Sequence, residues 1–226
     1  MNAFEAITQR QGVICYKPDP VDRDLIQRVL QAATAAPSPA NTQPWELIVI
    51  DDAALTRQVA EYLVDTQAEF VFRQLLGTPE PFIEHLLKLY DEFYTTPCFI
   101  ILCRNQRTEL AQSEHAATVR DWDLCSIGAA MANLMAAATE LGLGTRWFGN
   151  PMMDPETLHQ MLGIPPEIEI IAVTPLGHHD EQPKVRPTQS LDAHTDFQRG
   201  DKYKLAALLQ GKLALEDVVH FNKFGG

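Results

Sequence analysis

Residues 35–45, Ala-Ala-Pro-Ser-Pro-Ala-Asn-Thr-Gln-Pro-Trp (AAPSPANTQPW), run directly into the apolar Glu46-Leu47-Ile48-Val49-Ile50. Upstream, Leu25, Ile26, Val29, Leu30, Ala33 and Ala36 recur at intervals of three and four, the spacing of a helix over about 21–36 with one inward face. Pro37, Pro39 and Pro44 end that pattern, because each proline fixes its own φ and removes a backbone donor. The amides and carbonyls of Ser38, Ala40, Asn41 and Thr42 are then left outside helix or sheet, to be met by water or by a ligand. Asn41 and Gln43 each add a carbonyl acceptor and an amide donor pair, a set that suits the edge of a polar heteroaromatic ring. Taken alone, the stretch reads equally well as a proline-rich connection. Leu47–Ile50 reads as a buried strand.

The segments on either side alternate helix and strand. A short helix is expected near 3–10, and Tyr16-Lys17-Pro18-Asp19-Pro20 is an extended entry to the helix that follows. Residues 53–64 and 66–76 read as amphipathic helices, Gly77-Thr78-Pro79-Glu80-Pro81 as a break, and 82–93 as another helix. Cys98–Cys103 (CFIILC) is a second strand. A long helix follows between about Ser113 and Leu141, closed by Gly142 or Gly144 in the left-handed region. Its Gly128, Ala129, Ala130, Ala132, Ala136, Ala137 and Ala138 lie on every side, which lets neighbours approach all round. Thr145–Phe148 reads as a short strand, Pro155–Leu162 as a helix with Asp154 at its N-cap, and Glu169–Leu176 as a strand. This order describes an α+β protein in which helices dominate.

The 226 residues suit one domain, and 46% hydrophobic against 21% charged residues can bury a real core. A net charge of −12 argues against nucleic acid and acidic membranes as partners. No segment approaches the roughly 18 apolar residues of a membrane span and the N-terminus lacks the layout of a signal peptide, so a soluble, cytoplasmic protein is expected. Cys15, Cys98, Cys103 and Cys125 show no CxxC spacing and read as reduced, structural thiols. Gly-Leu-Gly-Thr (142–145) closes a helix rather than opening one after a strand, so it supports no dinucleotide-binding turn. No phosphate loop, nucleophile elbow or metal-ligand spacing occurs, and catalytic side chains and a metal site are not expected.

The stretch from Ala35 to Ile50 resembles the signature of the FMN-dependent nitroreductase family. Three further segments agree with it in order: Arg10-Gln11-Gly12-Val13-Ile14-Cys15-Tyr16-Lys17-Pro18 near the start, Glu140-Leu141-Gly142-Leu143-Gly144-Thr145-Arg146-Trp147-Phe148-Gly149-Asn150 after the long helix, and Thr174–Pro187, with its Lys184-Val185-Arg186. The resemblance implies a single nitroreductase-like domain over 1–226, an α-β-α sandwich with a central mixed sheet and a long central helix. It carries a helical insert over about 66–95 and a C-terminal extension over about 195–226 packed on the partner of a domain-exchanged homodimer. FMN would be held without a covalent bond at the subunit interface. Arg10, Lys184 and Arg186 would gather at its phosphate, with Gln11 and Gly12 beside them. Pro37, Ser38, Pro39, Asn41 and Gln43 would flank its ring and ribityl chain. Trp147, Phe148, Gly149 and Asn150 would bring their backbone to the ring. NAD(P)H would deliver hydride to the flavin and leave, and a nitroaromatic or quinone acceptor would take its place in a ping-pong cycle. Relatives with other redox chemistry (reductive dehalogenation, ring oxidation in biosynthesis, flavin fragmentation) are the alternative implied, as is a flavin-binding module with little turnover.

Three positions depart from the family pattern: Gln11 and Ile14 stand where members carry cations, and Gly12 where they carry Ser. Arg73 is a candidate replacement cation, read otherwise as a surface helix residue. Phe82, Tyr90, Phe93 and Tyr94 either roof the pocket or pack the insert, and packing is the expectation for aromatics at helical spacing. His178-His179 is read as a turn after a strand.

Overall fold

The computed structural model describes residues 1–75, 77, 80–88, 90, 93–108, 112–180 and 218–219, with backbone alone for Leu75, Pro81, Phe82, His85 and Leu86. Helix α1 (Ala3–Gln9) opens on a capping box in which the Asn2 side chain accepts from the Glu5 amide and Glu5 accepts from the Asn2 amide. Helix α2 (Arg23–Thr34) follows, capped by Asp22. Strand β1 (Trp45–Ile50) leads into α3 (Ala53–Thr66), capped by Asp52 on the amides of Ala54 and Leu55. Two separate helices were expected at 53–64 and 66–76; the chain instead continues without a break into a wider π-helical segment, Gln67–Leu75, since no Gly or Pro lies between. Helix α4 (Glu80–Lys88) starts earlier than expected, with Pro81 in its first turn where its missing donor costs nothing.

Strand β2 (Cys98–Arg104), helix α5 (Ala116–Glu140), strand β3 (Leu143–Thr145), helix α6 (Pro155–Leu162) and strand β4 (Glu169–His178) complete the described elements. The strand expected at 145–148 ends at Thr145; Phe148 makes only an isolated bridge to Val173. Asp154 does stand at the N-cap of α6, yet its carboxylate takes the Thr157 hydroxyl rather than a backbone amide. The sheet order is β1-β2-β4-β3 and every strand pair is antiparallel. The sheet was expected to be mixed, but its described strands are all antiparallel; the parallel pairing of Gly12 with Thr145 is an isolated bridge from the segment after α1 and adds no strand. His178 pairs with Leu143 and His179 bridges Tyr16, so this pair extends the strand instead of turning.

All seven residues of β2 are buried. Because side chains alternate across a strand, Phe99, Ile101 and Cys103 enter one core, with Val59 and Leu63 of α3 and Leu158 of α6. Cys98, Ile100 and Leu102 enter the other, with Ile26, Val29 and Ala33 of α2 and Ile127, Met131 and Leu134 of α5. Helices thus cover both faces, which is the α-β-α sandwich expected. None of the four cysteines is in a disulfide among the described residues, and burial pushes the Cys98 and Cys103 thiols up to about 12; Cys125 is exposed on α5.

Gly142, at φ 75, turns the chain from α5 into β3. At Gly144 a Cβ would lie 2.9 Å from Val13, so the missing side chain lets the segment after α1 lie along β3, where the Val13 amide donates to the Thr145 carbonyl at 2.9 Å. A buried ion network ties α5 to the sheet: Arg104 Nε donates to Asp123 Oδ2 at 2.8 Å, Arg104 also reaches Glu169 at 3.4 Å, and Arg120 pairs with Glu169. Met1–Arg186 forms one compact unit and Pro187–Gly226 another, of which Val218 and Val219 are described. The expected C-terminal extension lies almost wholly outside the described residues. No described helix is long and apolar enough to cross a membrane.

Candidate functional site

Ser38 is extended, Pro39–Asn41 forms a 3-10 turn, and Ala40 (φ 51), Asn41 (φ 56) and Gln43 (φ 46) all occupy the left-handed region. For residues with a side chain each such conformation costs about 1 kcal/mol or more, and it persists only where surrounding contacts enforce it. The enforcing contacts are local. The Asn41 amide donates to the Ser38 carbonyl at 3.0 Å, the Thr42 amide to the Pro39 carbonyl at 3.1 Å, and the Gln43 amide to the Ser38 hydroxyl at 3.0 Å. The amides of Asn41 and Thr42, expected to lack partners, therefore close the turn on itself. The Thr42 hydroxyl is buried without a hydrogen-bond partner among the described residues. Beyond the turn, the Asn105 amide donates to the Pro44 carbonyl at 2.7 Å, and Asn105 and Arg107 both hold the Glu46 carboxylate. The Asn105 hydrogen bond, then Arg107, keep that carboxyl below its ordinary range despite some desolvation. A strained turn is thus held between α2 and a braced strand.

This shelf faces α5. Pro37, Ser38 and Pro39 border a groove of about 430 Å³ with Trp122, Cys125, Ser126 and Ala129. A second pocket of about 460 Å³ is lined by Ile7, Arg10, Ala132, Asn133, Met135, Ala136 and Trp147. Positions 122, 125, 126, 129, 132, 133 and 136 recur at three and four, so one stripe of α5 walls both cavities. At 1.5 Å per residue, Cys125 and Asn133 stand about 12 Å apart along the helix. The structure therefore brings Pro37, Ser38 and Pro39 to one end of a common wall, and Arg10 and Trp147 to the other.

The remaining expected residues divide. Trp147 is 45% exposed and Gly149 is exposed beside it; an added Cβ on Gly149 would come only to ordinary contact with the indole nitrogen, at 3.8 Å. Phe148 and Asn150 are spent on the interior. The Phe148 amide and carbonyl both bond Val173, at 2.9 and 3.0 Å, and its ring packs 5.4 Å from Phe93. Asn150 Nδ2 donates to the Leu63 carbonyl at 3.2 Å and to the Thr66 hydroxyl at 2.6 Å, fixing the end of α3. Gln11 and Gly12 are exposed. Lys184 and Arg186 lie outside the described residues. Arg73 is held by Glu69 at 3.0 Å and Glu80 at 2.6 Å, an occupied cation and no replacement for those absent at 11 and 14. Tyr90 and Phe93 are buried in the core, and Tyr94 is half-buried under Arg57, so these aromatics pack; the Phe82 side chain is outside the description.

Trp122, Cys125 and Asn133 carried no site role in the sequence, although their spacing on one helix was readable, and neither did Arg146. Arg146 is half-buried, its guanidinium 5.3 Å from the Phe148 ring centre and 5.8 Å from that of Tyr90. Neither Arg10 nor Arg146 has a carboxylate partner among the described residues. Two unpaired guanidinium groups, an exposed indole, uncrowded glycines at 12 and 149 and a rigid polar turn suit a ligand that is flat and aromatic at one end and anionic at the other.

Residues 7–178 match the family described as "Nitroreductase family". A protein of Archaeoglobus fulgidus, provisionally named an NADH dehydrogenase/NAD(P)H nitroreductase, is 27% identical over 79% of this chain and 86% of its own. A 5,6-dimethylbenzimidazole synthase of Rhodospirillum rubrum is 26% identical over 80% of this chain and 84% of its own. Among solved structures, a nitroreductase with bound FMN from Desulfitobacterium hafniense superposes with a TM-score of 0.61 at 21% identity, covering 84% of this chain and 97% of the other.

Proposed function

The chain belongs to the nitroreductase family, and from that premise we propose that it is a homodimeric flavoenzyme that passes hydride from NAD(P)H through FMN to nitroaromatic or quinone acceptors in a ping-pong cycle. The observation that carries this reading is the shared α5 wall, which sets an arginine pocket and a strained polar shelf about 12 Å apart. That span suits a cofactor with a ring at one end and a phosphate at the other.

Each part of the chain then has a task. Arg10, with Lys184 and Arg186, would hold the phosphate, which a protein of net charge −12 binds only through a local cation cluster. Gln11 and Gly12 border that end. Pro37, Ser38, Pro39, Asn41 and Gln43 would orient the ring and ribityl chain, the strained turn supplying a surface that does not reorganise on binding. Trp147 and Gly149 would approach the ring, while Phe148 and Asn150 anchor their segment from below. Bound FMN supplies the hydride acceptance and delivery, so no side chain is required as nucleophile. The exposed Phe4, Ile7, Trp122 and Trp147 support a second subunit over the α5 stripe, and the extension from about 195 would pack on it.

The near-equal identity to a dimethylbenzimidazole synthase supports a second reading, in which the same site serves a different flavin reaction. The test is direct. Purified protein should show a flavin spectrum that NADH or NADPH bleaches under anaerobic conditions, and nitroaromatics or quinones should restore it. A colourless protein that cannot be reconstituted with FMN refutes both readings. Bleaching with no return on any acceptor of a panel, together with a product derived from FMN itself, supports the second over the first.

A further inference from the structure

Seven of the nine described arginines are paired with carboxylates: Arg23, Arg28, Arg57, Arg73, Arg104, Arg107 and Arg120. The two that are not, Arg10 and Arg146, converge on one short segment. The parallel bridge between Gly12 and Thr145 sets the start of the chain beside the residue before Arg146, and an added Cβ on Gly12 would meet Arg146 Cγ at 3.9 Å. Arg10 leaves α1 with extended backbone, φ −57 and ψ 128. Arg10 stands two residues before Gly12 and lines the pocket that Trp147, the residue after Arg146, also borders. Two extended residues span at most about 7 Å.

We propose that Arg146 is a phosphate-binding residue, a second cation beside Arg10 at the anionic end of the site. This rests on the flavin reading above and deepens it. The aliphatic stem of Arg146 passes Gly12 at a distance where an added Cβ would make only ordinary contact with its Cγ, 3.9 Å. The guanidinium carbon lies over the rings of Phe148 and Tyr90, at 5.3 and 5.8 Å from their centres, contacts that use none of the five N–H donors in a hydrogen bond to a carboxylate, so the fork can serve a bidentate oxyanion. Its positive charge lies close enough to the Tyr16 and Tyr90 hydroxyls to oppose the upward effect of their burial. A cation 146 residues into the chain thus stands in for those missing at Gln11 and Ile14.

The test is titration of the apoprotein with FMN and with riboflavin, which lacks the phosphate, read by quenching of flavin fluorescence. Arg146→Gln should weaken FMN about 10- to 100-fold, the loss of one charge-assisted contact, and leave riboflavin within about twofold; the dependence of FMN affinity on salt should become shallower. If the Gln variant fails to fold, Arg146→Met, which keeps an apolar stem beside Gly12 and the two rings, is read the same way. An unchanged preference for FMN over riboflavin overturns the proposal, and so does an equal loss for both ligands, which marks a packing role. A wild-type protein that binds neither flavin refutes the proposed function itself.

Discussion

Asp123→Ala should destabilise the protein by about 3 kcal/mol, the low end of what breaking a buried ion pair costs. The side chains of Arg104 and Asp123 are 3% and 6% exposed and meet at 2.8 Å. Removing the carboxylate leaves the guanidinium buried with only Glu169, at 3.4 Å, as a partner, and Glu169 is shared with Arg120. That residual partner is why the low end applies. The better helix propensity of Ala over Asp in mid-α5 returns at most about 0.7 kcal/mol. For a chain of 226 residues, each kcal/mol moves the thermal midpoint by about 2–4 °C, so a fall of about 5–12 °C by circular dichroism is expected. The double variant Arg104→Met with Asp123→Leu should recover most of it, because the penalty lies in the orphaned charge and not in a lost attraction. A fall of under about 2 °C for Asp123→Ala, or a double variant no better than the single, refutes this account. Trp122 precedes Asp123 and borders the groove at the shelf, so loosening the single variant should also broaden the indole emission.

Three other outcomes are expected. Ala40→Gly, at φ 51, removes left-handed strain and should raise stability by up to about 1 kcal/mol, read as a small rise in thermal midpoint; a fall shows that the shelf is not strained. Gly144→Ala should cost about 1–3 kcal/mol by overpacking against Val13 at 2.9 Å, and Val13→Ala in the same chain should restore most of it, a double-mutant cycle that a simple loss of backbone freedom would leave uncoupled. The Glu46 carboxyl is held low by Asn105 and Arg107; a lowered folded value gives stability that is fully present above the unfolded value of about 4.3 and lost as pH falls through the folded one. With its side chain 40% exposed, the effect is under about 1 kcal/mol, and Glu46→Gln should flatten urea-midpoint profiles below about pH 5 while leaving neutral pH nearly unchanged.

What was legible in the sequence is what local chemistry decides. The three-and-four spacing of α2, the proline stop at Pro37 and the unbroken apolar run of β2 each act within a few residues, and each element forms where expected. The shelf was located by its prolines, but its hydrogen bonds were not: Asn41 and Thr42 bond back to Ser38 and Pro39 because Ala40, Asn41 and Gln43 accept a left-handed backbone that propensity assigns to glycine. Features that depend on register were hidden. Phe148 and Asn150 carry the right residue types for a site, yet Val173 and Leu63, distant in the chain, claim their polar groups. Arg104 and Asp123 gave no sign of pairing, since only the sheet and α5 bring them together. The same reasoning explains Arg146. The family resemblance implied a deficit of cations at 11 and 14 and offered Arg73 as a candidate remedy against its reading as a surface helix residue, and the surface reading holds, for Arg73 has carboxylates of its own. The remedy depends on Gly144, whose missing side chain admits the segment after α1 to the edge of β3, and so on a contact between two ends of the unit that no local pattern encodes. Of the two glycines on this path, Gly144 is the one whose missing side chain is required, for a Cβ there would meet Val13 at 2.9 Å while one on Gly12 would meet Arg146 only at 3.9 Å.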